Sequence, residues 1–179
     1  VDAVRFIVPI SLLLAGCVLA TSPEEAEREA LPKIGEDGDE FHRPGQPCLT
    51  CHRDDYNPGG DTFVVAGTIY RRATDLDGVE GAEVIMVDAA GREMTALTNR
   101  VGNFMVEVGG SGDAPRQRGD GRLRVPWNPE FPLQIRVRLG SLEQEMESFA
   151  WRDGSCGGCH QGTGDGAESV RKVFVEETP

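Results

Sequence analysis

Leu133-Gln134-Ile135-Arg136-Val137-Arg138-Leu139 alternates apolar and polar side chains without a break. Successive side chains on a β-strand point to opposite faces, so this period of two puts Ile135 and Val137 on a buried face and the two arginines in water. Gly140-Ser141 follows, a two-residue hairpin turn of the Gly-X kind, and Leu142 to Phe149 can pair back across it. Towards the N-terminus, Thr62 to Tyr70, Ala82 to Asp88, Glu93 to Thr98 and Asn103 to Val108 are further runs between Gly-containing turns. Lys172 to Glu176 reads as a short last strand. Seven strands at this spacing predict a mainly β fold, a sandwich of two sheets.

The bulk composition agrees with this reading. The chain has 179 residues, 39% hydrophobic and 6% aromatic, so it can build one domain with a modest aliphatic core. Its 23 glycines and 11 prolines favour turns over long helices. The net charge of −12 argues against nucleic acid as a partner, since phosphates demand a basic surface. An acidic surface suits solubility, or a partner with a positive docking patch.

Two short segments flanking the strands carry the chemistry. Cys48-Leu49-Thr50-Cys51-His52 and Cys156-Gly157-Gly158-Cys159-His160 are two copies of C-x-x-C-H, the attachment motif of c-type haem. Thiols at this spacing sit about one helical turn apart and can form thioethers with the two vinyl groups on one haem edge. The adjacent histidine then binds the iron from the proximal side. The expected cofactors are therefore two covalently bound haems c, held by Cys48, Cys51, Cys156 and Cys159, with His52 and His160 as iron ligands. A sandwich fills its core with its own side chains, so both haems belong to irregular segments before the first and last strands, partly exposed. If seven strands alternate in direction, the first and last run the same way and both segments emerge at one end.

The fifth cysteine has a different setting. Phe6 to Gly16 is apolar apart from Ser11 and too short to span a bilayer, which is the shape of a signal-peptide core. Its end, Leu14-Ala15-Gly16-Cys17, resembles the lipobox of bacterial lipoproteins. That resemblance implies cleavage before Cys17 and a diacylglyceryl group on its thiol, with further acylation giving stable anchoring. It also implies an exported protein at the outer membrane, on its periplasmic or surface side. From Cys17 to Glu40 there are eight acids and two bases, which reads as a solvated tether, with a short helix from Glu24 to Ala30.

The strand ends carry a second resemblance. Gly67-Thr68-Ile69-Tyr70, Gly78-Val79-Glu80-Gly81-Ala82-Glu83-Val84, Asp88-Ala89-Ala90-Gly91-Arg92 and Thr98-Asn99-Arg100-Val101-Gly102-Asn103-Phe104 look like the immunoglobulin-like sandwich of carboxypeptidase regulatory-like domains. That family's module is an accessory domain without catalytic residues, so the resemblance implies fold and not function. Gly109 to Trp127 departs from it and reads as a long surface loop, whose Arg116, Arg118, Arg122 and Arg124 could meet haem propionates. The resulting organisation is a leader over 1–16, the tether over 17–43, a first haem segment over 44–61, the sandwich over 62–150, a second haem segment over 151–170 and a last strand within 171–179.

Six-coordinate iron needs a second axial ligand, and His42 is the one histidine outside the motifs. It lies six positions before Cys48, so the chain can loop it over its own haem. Met86 and Met105 fall on strands and read as core, which leaves Met146 and Met94 as thioether candidates. The leading expectation is a membrane-anchored di-haem cytochrome serving redox partner proteins, with self-association into a longer relay left open. The alternatives are a peroxidase or small-ligand sensor with five-coordinate iron, and a non-haem scaffold or adhesion lipoprotein whose C-x-x-C pairs form disulfides or bind zinc.

Overall fold

The computed structural model describes residues 38–55, 58–110, 112–151, 154–160 and 170–176. The leader, Cys17 and the helix expected at Glu24–Ala30 lie outside these residues. Eight strands form two sheets: β1 (Val65–Thr68), β2 (Glu83–Val87), β3 (Glu93–Leu97), β4 (Asn103–Val108), β5 (Arg116–Gln117), β6 (Arg122–Val125), β7 (Gln134–Leu139) and β8 (Leu142–Glu145). One sheet runs β1-β4-β6-β5 and the other β3-β2-β7-β8. The neighbours are antiparallel except β4 and β6, which are parallel. The fold is a mainly β sandwich.

The alternation in β7 does what the sequence demands of it. Ile135 and Val137 join Val84, Met86, Phe104 and Val106 in the core between the sheets. Arg138 faces its register partner Glu83 on the wet side and pairs with it, while Arg136 reaches Glu93 at 3.8 Å. Opposite charges directly across a ladder stabilise it modestly. Gly140 holds the β7–β8 turn at a φ of 61°, a left-handed conformation that favours glycine.

Two expectations need correction. Gly109 to Trp127 is not one long loop, because β5 and β6 lie within it. Leu123 and Val125 of β6 drop into the core, and the alternating Arg122 and Arg124 stand on the outer face against Glu107 of β4. Burial of two aliphatic side chains gives this arginine-rich stretch its strand. Conversely, Lys172 to Glu176 makes only a parallel bridge, Phe174 to Tyr70, where a last strand was expected. The edge of β1 is shared: the Ala66 N–H donates to the Gly154 carbonyl, so residues 173–175 reach only its far end at Tyr70.

One buried carboxylate ties two loops together. Asp88 is 4% exposed and takes hydrogen bonds from the side chain and backbone of Arg92 and from the Glu130 N–H. Burial pushes its pKa up, but these donors more than offset it and hold the carboxyl below its usual range. The stabilisation is therefore present above the unfolded carboxyl's pKa of about 4 and is lost as the pH falls through the lower folded value. Asp88→Asn is expected to lose roughly 1–3 kcal/mol at neutral pH and to unfold with a flatter acid limb, read from thermal melts across the acid range.

Candidate functional site

Both C-x-x-C-H motifs fold as a single helical turn, α1 (Leu49–His52) and α2 (Cys156–Cys159). In the first, the His52 N–H donates to the Cys48 carbonyl at 3.1 Å; in the second, the His160 N–H donates to the Cys156 carbonyl at 2.8 Å. The imidazoles also match. His52 Nδ1 donates to the Asp61 carbonyl at 2.8 Å, and His160 Nδ1 to the Arg171 carbonyl at 2.6 Å. A carbonyl can only accept, so Nδ1 carries the donated proton and Nε2, on the far side of the ring, is the nitrogen that could face a metal. This is the usual way a second hydrogen bond orients a histidine ligand.

The two turns meet at β1. On the outer face of its sheet, Cys48 and Leu49 pack against Phe63, Ala66 and Met105. Cys156 packs instead against the main core, where Gly67 makes room for it: a Cβ on Gly67 would lie 2.6 Å from the Cys156 Cβ. Gly157 sits against the chain entering the first motif, where a Cβ would lie 2.7 Å from the Gln46 carbonyl carbon and 3.0 Å from the Pro47 nitrogen. A side chain on Gly157 would push the second turn off the chain entering the first, and one on Gly67 would push it off β1.

His42 is brought to His52. Their ring centroids are 5.8 Å apart with planes inclined by 41°. Two imidazoles bound to one metal stand roughly 6 Å apart, centre to centre, because each metal–nitrogen bond is about 2 Å. The His42 segment is pinned by Asn99 of the β3–β4 turn and by Asn103, the first residue of β4. Asn103 Nδ2 donates to the His42 carbonyl at 3.0 Å and Asn99 Nδ2 to the Glu40 carbonyl at 2.8 Å. The Gly45 N–H donates to Thr68 Oγ1, which itself donates to Asn103 Oδ1. His42 Nδ1 bonds the Asp39 carbonyl, which orients its ring as well.

A pocket of about 260 Å³ opens between these elements, lined by His42, Cys48, Cys51, His52, Phe63 and Met105 among others. Phe63 stacks on His52 at 4.7 Å. Burial pushes the Cys48 thiol up to about 11, so it is held as a thiol. Burial also lowers the His52 pKa, against the raising effect of its bond to Asp61, and so favours the neutral ring that can ligate. Below the ring, Arg122 pairs with Asp61 at 2.9 Å and with Glu107 at 3.2 Å, steadying the residue whose carbonyl orients His52. Hydrogen bonding from Arg122 is the main reason the Asp61 carboxyl lies below its usual range.

The methionines divide differently from expectation. Met94 is 1% exposed in the core between the sheets, and Met146 packs against that core. Met105, read from sequence as core, is buried in the small cluster on the outer face of its sheet and also lines the pocket. The period of β4 carries that signal, since Met105 lies on the opposite face from Phe104 and Val106. Asn99, Asn103, Thr68 and Asp61 were also missed; they read as turn and strand-end residues, and their roles arise from contacts distant in sequence.

Among the described residues, no disulfide joins the four cysteines, and no three or more His, Cys, Asp or Glu side chains are placed to hold a bare metal ion. No described helix is long and apolar enough to cross a membrane. The donor set fits covalent haem: paired thiols one turn apart, imidazoles oriented by backbone carbonyls, and a second imidazole at ligand spacing. No protein-family model, curated protein or solved structure matches the chain.

Proposed function

We propose that this protein is a lipid-anchored di-haem c-type cytochrome that passes electrons between partner proteins in the periplasm or at the outer membrane. The observation that carries the reading is the repetition of one geometry. Two C-x-x-C-H turns each tie their histidine's Nδ1 to a downstream carbonyl, and the turns pack against each other beside β1. Bound at these turns, haem iron supplies one-electron exchange between its ferric and ferrous states. The chain's own residues would hold the thiols in place, orient His52 and His160 through their Nδ1 hydrogen bonds, and seat the second turn against the chain entering the first. Asn99, Asn103 and Thr68 hold the His42 segment beside His52, where His42 would serve as a second ligand to iron at the first site.

A second reading applies to the other site. The chain has three histidines, and the one outside the motifs is placed at His52. His160 is left without an imidazole partner, which favours an iron there that is open to a small ligand. Carbon monoxide added to the reduced protein is then expected to bind about one haem per chain.

The test of the main reading is a count. Protein from a host with haem-attachment machinery is expected to be red, with two thioether-linked haems per chain by pyridine haemochrome. Cys156→Ser with Cys159→Ser is expected to leave one. A colourless protein with oxidised or zinc-bound cysteines would overturn the proposal.

A further inference from the structure

The edge of the first sheet farthest from the attachment turns carries a groove of about 230 Å³. Arg116, Arg118 and Arg124 line it beside Gly109, Gly110 and Pro126, and no acidic side chain among the described residues does so. In a chain of net charge −12 this is a local inversion of sign. The arrangement is also unfavourable by itself. Arg116 and Arg124 are direct register partners across the β5–β6 ladder, where like charges destabilise. Arg124 is offset by Glu107 at 2.8 Å and Arg118 by Asp120 at 3.5 Å, but both acids lie outside the groove. Arg116 has no carboxylate partner among the described residues. Elsewhere, Arg71, Arg72, Arg92 and Arg138 each pair with an acid on their own surface.

The strand that presents Arg116 is fixed in place, because Gln117 Oε1 accepts the Leu97 N–H of β3 at 3.0 Å. Gly110 leaves space for Arg124, whose Cδ would lie 3.1 Å from a Cβ there. Strands stand roughly 4.8 Å apart, so β5 is about 14 Å across the sheet from β1 and its attachment turns. A groove so placed lies at the sheet edge away from the attachment turns.

We infer that this groove binds a phosphate oxyanion, whose oxygens match guanidinium forks and whose charge relieves the opposed arginines. The phosphate is either free or the headgroup of an anionic lipid. This site is independent of whether haem is bound at the cysteines. The full chain would be titrated calorimetrically at low salt with inorganic phosphate and, separately, with glycerophosphoglycerol, the soluble headgroup of an anionic phospholipid. Saturable binding of one site per chain is expected. Arg116→Ala is expected to weaken it by about ten-fold or more, and Arg116→Lys to restore part of the loss. Arg136→Ala, on the other sheet, is expected to leave it unchanged. Arg116 is exposed, so unchanged far-ultraviolet circular dichroism would accompany its loss. Binding of phosphate alone assigns a free anion, and binding of the diester assigns a headgroup. Failure of both probes to saturate, or equal binding by Arg116→Ala, would overturn the site.

Discussion

If both cysteine turns carry haem, as proposed, His42→Ala is expected to convert one iron from six-coordinate to five-coordinate while leaving both haems covalently attached. His42 is the imidazole at ligand spacing from His52, at 5.8 Å between centroids, and three hydrogen bonds hold its segment there, two donated by Asn99 and Asn103 and one accepted by Thr68 Oγ1 from the Gly45 N–H. Alanine removes the donor and nothing that supports the sandwich. The electron paramagnetic resonance spectrum is expected to lose one low-spin ferric signal and gain a high-spin one, and carbon monoxide uptake is expected to rise by one per chain. His42→Met is expected to retain six-coordination with a higher potential for that haem, because thioether ligation raises it. An unchanged spin state in the alanine variant would remove His42 from the site.

The largest loss of stability is expected from Phe104→Ala. Phe104 is 0% exposed and pairs in register with Gly67, beside which Cys156 packs. Truncating a buried phenylalanine costs about 3–5 kcal/mol. Set against a total of about 5–15 kcal/mol for a domain, that is a large share. Urea unfolding is expected to show a lower midpoint with an unchanged slope. The variant is also expected to loosen the second attachment turn, since the ring and the Cys156 side chain meet over the same glycine. A loss under about 1 kcal/mol would mean the core closes around the gap.

Much of the fold was legible from the period of two. The runs around β1, β2, β3, β4, β7 and β8 each combine an apolar face with bounding glycines. β6 has the same alternation in Arg122-Leu123-Arg124-Val125, but it is four residues long and embedded among glycines and prolines, so the charge outweighed the pattern. Lys172 to Glu176 erred the other way: Val173 and Val175 alternate like a strand, yet most of the available edge is taken by Gly154 and Ser155. The site was half legible. Cysteine and histidine spacing pointed to the attachment turns and left His42 as the one imidazole outside them. The meeting of the turns was not legible, because it depends on Gly67 and Gly157 lacking side chains where residues far apart in sequence converge.

The sharing of β1's edge has a consequence for how the protein behaves in company. An open strand edge is a template on which another chain can add its own strand, a route to aggregation. Here the backbone groups of Ala66 and Tyr70 are occupied by Gly154 and Val173, one on each side of the second cysteine motif. The segment that carries the second C-x-x-C-H turn is thus also a guard against self-pairing, so a variant that fails to seat it is expected to lose solubility.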